Sequence, residues 1–313
     1  MPGHVGTSGW QYRHWRGAFY PADVPQRQWL EYYAGRFGTV ENNGTFYRLP
    51  ARETFEQWRA RTPDGFVMAV KASRYLTHIR RLRDPAEPVR RMLDAFAGLG
   101  DRLGPVLVQL PPNMKADPEL LDGTLSQFPS EVRVAVEPRD ASWWTDEIKD
   151  VLTARGAALC WADRAEEPVT PLWRTADWGY VRFHEGTADP WPRYSDKALQ
   201  TWADRVAKAW PKSAPVYAYF NNDQNGAAAV DAANFATLTR TMIEPAASGV
   251  AGRAKRGLPE YVGLLSPLRS DRGCMAHGRS RHVKTDADPV ALARYRSRGR
   301  RSAGLLQRRH RRL

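Results

Sequence analysis

Cysteine is scarce in this 313-residue chain, with only Cys160 and Cys274, and long apolar runs are absent. Two thiols cannot build a disulfide framework or a four-cysteine zinc site. Cys160, within Ala157-Ala158-Leu159-Cys160-Trp161, reads as a small buried hydrophobe. No stretch approaches the roughly 18 to 20 apolar residues that a membrane-spanning helix requires. The amino terminus, Met1-Pro2-Gly3-His4, lacks the charged, apolar and small-residue order of a secretory signal, so a cytoplasmic protein without a membrane partner is expected. Histidine is sparse too. Before residue 244 only His4, His14, His78 and His184 occur, and the first two fall outside the strand ends, which marks down a multi-zinc hydrolytic centre. Gly6-Thr7-Ser8-Gly9-Trp10 has two glycines and then a bulky ring, a poor phosphate turn for a dinucleotide-binding sheet.

What is present divides into two parts. Hydrophobic residues make up 42% and charged residues 26%, enough apolar material for a large core. The net charge of +13 is unevenly placed: residues 244–313 hold 17 Lys or Arg against 5 Asp or Glu, leaving 30 against 29 for residues 1–243. All 12 Trp and all 10 Phe lie in the first part. We therefore expect a near-neutral domain over 1–243 and a basic, low-order extension over 244–313, which carries scattered Gly and Pro and little hydrophobic periodicity.

Within 1–243, eight short apolar runs, around Val5, Val40, Val67, Val106, Val132, Ala158, Tyr180 and Val216, recur every 22 to 39 residues. That is the length of a βα unit, and parallel strands need such crossovers. Runs such as Phe66-Val67-Met68-Ala69-Val70 are apolar at consecutive positions, as in strands covered on both faces. Helices are expected at Gln26–Phe37 and Pro88–Leu99. Three more are Asp146–Arg155 capped by Thr145, Asp196–Trp210 capped by Ser195, and Gly226–Thr241 capped by Asn225. Glu166 to Trp178, with Pro168 and Pro171, leaves no room for a full helix. The expected fold is a single α/β domain, a (β/α)8 TIM-type barrel, with a doubly wound open sheet as its rival.

Chemistry in such barrels sits at the carboxyl ends of the strands. Those ends carry Trp10; Glu41, Asn43 and Tyr47; Lys71 and His78; Gln109; Glu137, Arg139 and Trp143; Asp163; Arg182 and His184; and Tyr219, Asn221, Asn222 and Asp223. Glu41 or Glu137 is the candidate base and His184, two positions beyond Arg182 on one strand face, the candidate acid or base. Lys71 and Asp223 complete the catalytic set. Arg139, Arg182 and Lys71 would hold anionic or hydroxyl groups, with Trp10, Tyr47 and Trp143 as walls and Asn43, His78, Gln109, Tyr219, Asn221 and Asn222 as further binding residues. A bland alternative stays open for each: Glu41, Lys71, Glu137 and Arg182 as a buried ion network, Arg139 stacked on Trp143, and Asp223 as a helix cap. An imine-forming Lys71 needs a depressed pKa, which the neighbouring carboxylates oppose, so an ion pair is expected there.

These residues fall in motifs that resemble the family called domain of unknown function 72, the YecE-like proteins. The motifs are Gly6-Thr7-Ser8-Gly9-Trp10; Tyr12 to Trp15 with Gly17 and Phe19-Tyr20-Pro21; Val40-Glu41 with Asn43 and Thr45-Phe46-Tyr47-Arg48-Leu49-Pro50; Lys71 with Thr77-His78; Gln109-Leu110-Pro111-Pro112; Glu137 with Arg139 and Ser142-Trp143; Arg182 with His184; and Tyr219-Phe220-Asn221-Asn222-Asp223 with Gly226. The resemblance implies a TIM-type barrel and a residue cluster but no reaction. Glu185, where the family has glycine after the histidine, and the basic extension are departures.

The function expected is a non-redox acid–base enzyme, a hydrolase or isomerase, acting on a small polar sugar- or phosphate-bearing compound in the barrel mouth. No cofactor is expected, although a single divalent metal held by Glu41, Glu137, Asp163 or His184 stays open. Exchanging Glu137 for Gln should then abolish turnover with little effect on melting. The alternative is a non-catalytic protein that binds nucleic acid without sequence preference through Arg294–Arg301 and Arg308–Arg312. The extension is equally readable as an appendage foreign to the domain's function.

Overall fold

The structure, a computed structural model, describes residues 3–241; the expected basic extension lies outside the described residues, as does the boundary at 243. Among the described residues ten strands form: β1 (Gly3–Thr7), β2 (Thr39–Asn42), β3 (Val67–Lys71), β4 (Leu103–Gln109), β5 (Val134–Glu137), β6 (Ala158–Leu159), β7 (Trp161–Arg164), β8 (Glu167–Pro168), β9 (Gly179–Phe183) and β10 (Val216–Phe220). Between them run α1 (Trp29–Ala34), α2 (Gly44–Tyr47), α3 (Arg52–Ala60), α4 (Ala86–Phe96), α5 (Pro118–Leu125), α6 (Asp146–Ala154), α7 (Asp196–Ala209) and α8 (Ala227–Thr241). The result is a mixed α/β fold with two sheets, ordered β1-β10-β9-β7-β8 and β2-β3-β4-β5-β6, parallel throughout except for the short β7–β8 pair.

The strand read as the sixth is split at Cys160 into β6 and β7, one in each sheet. The fifth begins at Val134, two residues beyond the centre expected from its apolar run. Thr145 and Ser195 cap α6 and α7 as expected, accepting from Ile148 N and Ala198 N. Asn225 does not cap α8. It lies at φ +50° inside a single 3-10 turn, Gln224–Gly226. No helix forms between β7 and β9, where Pro168 and Pro171 remove donors, and the chain there makes β8 instead.

Strand alternation sorts side chains onto two faces. One face meets the helices in a large cluster that includes Val40, Val70, Val106, Val136, Phe183 and Phe220. The other carries Ala69, Leu107, Ala135, Ala158, Cys160, Tyr180, Tyr217 and Tyr219 as a second apolar cluster. Two positions further along the same strands, on that second face, stand Lys71, Gln109, Glu137 and Arg182. The polar layer therefore rests on an apolar floor. The two sheets meet at β1 and β2, where Ser8 and Glu41 form a parallel bridge. A Cβ added at Gly6 would lie 2.2 Å from Thr39 O, so only glycine permits this approach. Among the described residues no helix is long and apolar enough to cross a membrane.

Candidate active site

Glu41 and Glu137 are buried, and the fully buried guanidinium of Arg182 spans them. Arg182 donates to Glu41 from Nε at 3.0 Å and Nη2 at 2.9 Å, and to Glu137 from Nη1 at 2.7 Å. Ser8 Oγ at 2.7 Å and Tyr180 OH at 2.6 Å complete the shell of Glu41. Burial alone would raise the Glu41 pKa, but Arg182 and the hydroxyl donors hold it below the usual carboxylate range. With 0% exposure and its oxygens held by Arg182, Ser8 and Tyr180, Glu41 anchors Arg182, which leaves Glu137 as the glutamate that meets His184. Arg182 is thus engaged by both carboxylates through Nε, Nη1 and Nη2.

Glu137 is placed differently. It accepts from Gln109 Nε2 at 2.9 Å and contacts His184 Nε2 at 3.0 Å and Arg139 Nη2 at 3.4 Å. Burial pushes its pKa up, yet Arg182, His184 and Arg139 hold it well below the ordinary value. An ionised Glu137 fixes the proton of neutral His184 on Nε2 and leaves a lone pair on Nδ1, which faces Asn221 Nδ2 at 3.4 Å. Burial lowers the His184 pKa against the opposing pull of Glu137, so the ring is neutral near pH 7.

Lys71 enters from the end of β3 with its Nζ 4.4 Å from the centre of the Phe46 ring. Among the described residues it has no ion pair or side-chain hydrogen bond, contrary to the expected pairing, because Arg182 occupies both carboxylates. Burial, then the Arg182 charge, depress its pKa to about 7, with Glu137 and Glu41 opposing and Arg139 adding a little. His78, on a π-helical turn Tyr75–Ile79, packs edge-on to Phe46 at 4.9 Å and meets Thr77 Oγ1 through Nδ1 at 2.9 Å. Burial and the charges of Lys71, Arg139, Arg74 and Arg81 lower its pKa to about 4. Asn43 Oδ1 is buried without a hydrogen-bond partner, and Tyr47, 74% exposed, stands beside Phe46 at the rim.

The remaining expected site residues are placed elsewhere. Trp143 is fully buried and donates to Met114 O at 2.8 Å, so it is no wall and does not stack on Arg139. Trp10 packs edge-on to Trp58 of α3, within the strand–helix layer. Tyr219 lies in the apolar floor with its hydroxyl 2.8 Å from Thr39 Oγ1. Asn222 is buried against Pro192 O and Asp231. Asp163 faces α7, where it takes hydrogen bonds from Tyr194 OH and Trp202 Nε1, and burial raises its pKa to about 6. It cannot join Glu41, Glu137 and His184 around one ion, and among the described residues no three His, Cys, Asp or Glu gather in metal-binding reach. Asp223 makes no side-chain cap. Its carboxylate lies 3.6 Å from His14 Nε2, while its carbonyl accepts from Trp15 Nε1, so His14 does reach a strand end. Ser8, Phe46 and Tyr180 belong to the site without having been expected there. Tyr180 was accessible by strand period, two positions before Arg182, whereas Ser8 reaches Glu41 only across the seam between sheets.

Fold and site together define an α/β protein with a charge-compensated polar cluster at the carboxyl ends of parallel strands. The chain belongs to the family described as protein of unknown function DUF72, whose model matches residues 4–252, as the motifs indicated. Among its relatives, UPF0759 protein YunF of Bacillus subtilis (strain 168) is 24% identical over 283 residues, spanning 80% of this chain and 98% of that protein. The crystal structure of a DUF72 family protein from Thermotoga maritima MSB8 superposes with a TM-score of 0.68 at 28% identity, covering 77% of this chain and 100% of that one. A DUF72 family protein from Enterococcus faecalis V583 gives a TM-score of 0.64 at 18% identity, covering 76% and 95%.

Proposed function

We propose that the two sheets close into one (β/α)8 barrel and that its carboxyl-end mouth is the site of a non-redox acid–base enzyme. Closure is supported by the Ser8–Glu41 bridge on one side and by the continuous chain through Cys160 on the other. The substrate class is a small polar compound bearing an anionic group, a sugar phosphate being the type. Arg182 offsets one of the two carboxylate charges, and Lys71, Arg139, Arg74 and Arg81 outnumber the other, leaving positive potential at the rim. The reaction is a hydrolysis or an isomerisation.

The observation that carries this reading is the Glu137–His184 pair at 3.0 Å. A carboxylate held ionised by Arg182 orients Nε2–H, and Nδ1 remains to take a proton once a substrate group displaces the long Asn221 contact. A dry, pre-oriented imidazole of this kind is suited to proton abstraction beside a carbonyl or to activation of a hydroxyl or water.

The test is a thermal-shift panel of sugar phosphates and their unphosphorylated parents, followed by NMR in deuterated water for product formation and carbon-bound proton exchange. Phosphorylated compounds should stabilise the protein, and Arg139→Ala should weaken that effect. His184→Asn should retain it while turnover or exchange drops by about 10²- to 10⁴-fold. No stabilisation by any anionic compound, or full activity in His184→Asn, would remove the reading.

A further inference from the structure

We propose that Lys71 is a nucleophilic amine that condenses with the carbonyl group of an aldehyde or ketone substrate to form an imine. The inference deepens the acid–base reading above and rests on it for the anionic character of the substrate.

What separates Lys71, half-buried at the end of β3, from an ordinary paired cation is that no counter-ion meets it among the described residues. Two carboxylates lie in its electrostatic neighbourhood, yet both are committed to Arg182. Its Nζ instead rests on the face of Phe46, whose edge is closed by the His78 ring. The groups facing Lys71 from the packed elements are Glu41 on β2, Glu137 and Arg139 at the end of β5, Arg182 on β9, and His78 after β3. Arg182 and Arg139 offset the two carboxylates, so the Lys71 ammonium is left without a counter-charge and loss of its proton is favoured. A partly desolvated amine beside another cation is an arrangement by which proteins make lysine nucleophilic at neutral pH. The pKa of about 7 agrees with that geometry. The segment that follows is also unusual, with Arg81, Leu82 and Asp84 all at positive φ. Non-glycine residues held this way cluster at functional sites.

In the proposed step the Nζ lone pair forms the C–N bond while the carbonyl π pair moves to oxygen. One amine proton passes to that oxygen. A second proton, taken from solvent, lets it leave as water, and a protonated imine remains. The cationic imine then draws electrons from the adjacent C–H bond, whose proton His184 Nδ1 can accept, giving an enamine. No oxidant or reductant is needed. Asn43 Oδ1, buried and unpartnered, is available to accept from a substrate hydroxyl.

The full-length protein is incubated with pyridoxal 5′-phosphate or with pyridoxal at pH 7, reduced with borohydride, digested and mapped by mass spectrometry. The exposed Lys197 and Lys208 serve as internal references. The expected result is Lys71 labelled about tenfold or more faster than either reference, with pyridoxal 5′-phosphate the better reagent. Labelling of Lys71 should also rise through pH 7 as its proton is lost. Preferential labelling that is equal with both aldehydes supports the amine and counts against the anionic substrate. Labelling of Lys71 no faster than Lys197 and Lys208 overturns the proposal, whatever the thermal-shift panel gives.

Discussion

At the scale of single residues, burial and charge compensation decide roles that residue type leaves open. Glu41 and Glu137 are both strand-end glutamates, but one is closed by Ser8, Tyr180 and Arg182 while the other turns part of its carboxylate to His184. Exchanging either glutamate for Gln leaves Arg182 paired with the other carboxylate, so what is lost is a set of charge-assisted hydrogen bonds and no buried ion is stranded. Glu41→Gln should therefore lower unfolding stability in urea by about 1.5 to 3 kcal/mol. Glu137→Gln should do the same, against the sequence expectation of unchanged melting; the same urea titration decides between them, and His184 is the cleaner site for a kinetic test. Lys71 gives a pH prediction with the opposite sign from a paired lysine. The unfolded chain keeps this amine protonated to about 10.4, but the folded chain only to about 7. The unfolded state binds the extra proton between those values, so this group's penalty on folding is greatest below pH 7 and fades as the pH rises to the unfolded value. Lys71→Met should accordingly raise the melting temperature at pH 6, with the gain shrinking at pH 9. A scan across that range checks it, and a gain independent of pH would contradict the burial of a depressed amine.

At the scale of elements, strand period builds the site and one glycine sets its width. Residues two apart on β3, β4, β5 and β9 take Ala69 to Lys71, Leu107 to Gln109, Ala135 to Glu137 and Tyr180 to Arg182, from apolar floor to polar layer. Gly6 allows β1 to lie against Thr39, which brings Ser8 to Glu41. Gly6→Ala cannot fit without moving backbone, so it should destabilise the protein by more than about 1 to 3 kcal/mol, the usual cost of overpacking. Ser8→Ala loses a single hydrogen bond at that seam and should cost only about 1 to 3 kcal/mol. Urea titrations of the two variants separate a spacing defect from a lost bond. Equal effects would mean that the close approach of the strands is not what Gly6 provides.

At the scale of the whole molecule, residues 1–243 are near neutral, whereas 244–313 hold 17 basic residues against 5 acidic ones. We propose that this extension binds polyanions such as RNA without sequence preference. Affinity of the full chain should fall steeply between 50 and 200 mM salt, by roughly a decade or more if several phosphates are neutralised. A chain ending at 243 should lose the binding and keep the thermal-shift response to sugar phosphates. Unchanged RNA affinity in the shortened chain would dismiss the extension as the binding element. The sequence by itself determined the alternation of strands and helices, the capping of α6 and α7, the family, and which polar residues stand at strand ends. It could do so because period and spacing are properties of neighbouring residues. Only the tertiary structure decided which of those residues share a partner. Arg182 is 141 positions from Glu41 and 45 from Glu137, and its capture of both carboxylates is what leaves Lys71 unpaired. Trp143, Asn222 and Asp163 likewise turn to the helices because packing across the chain selects their face. Pairings over such separations are fixed by how the sheets come together, and no local pattern records them.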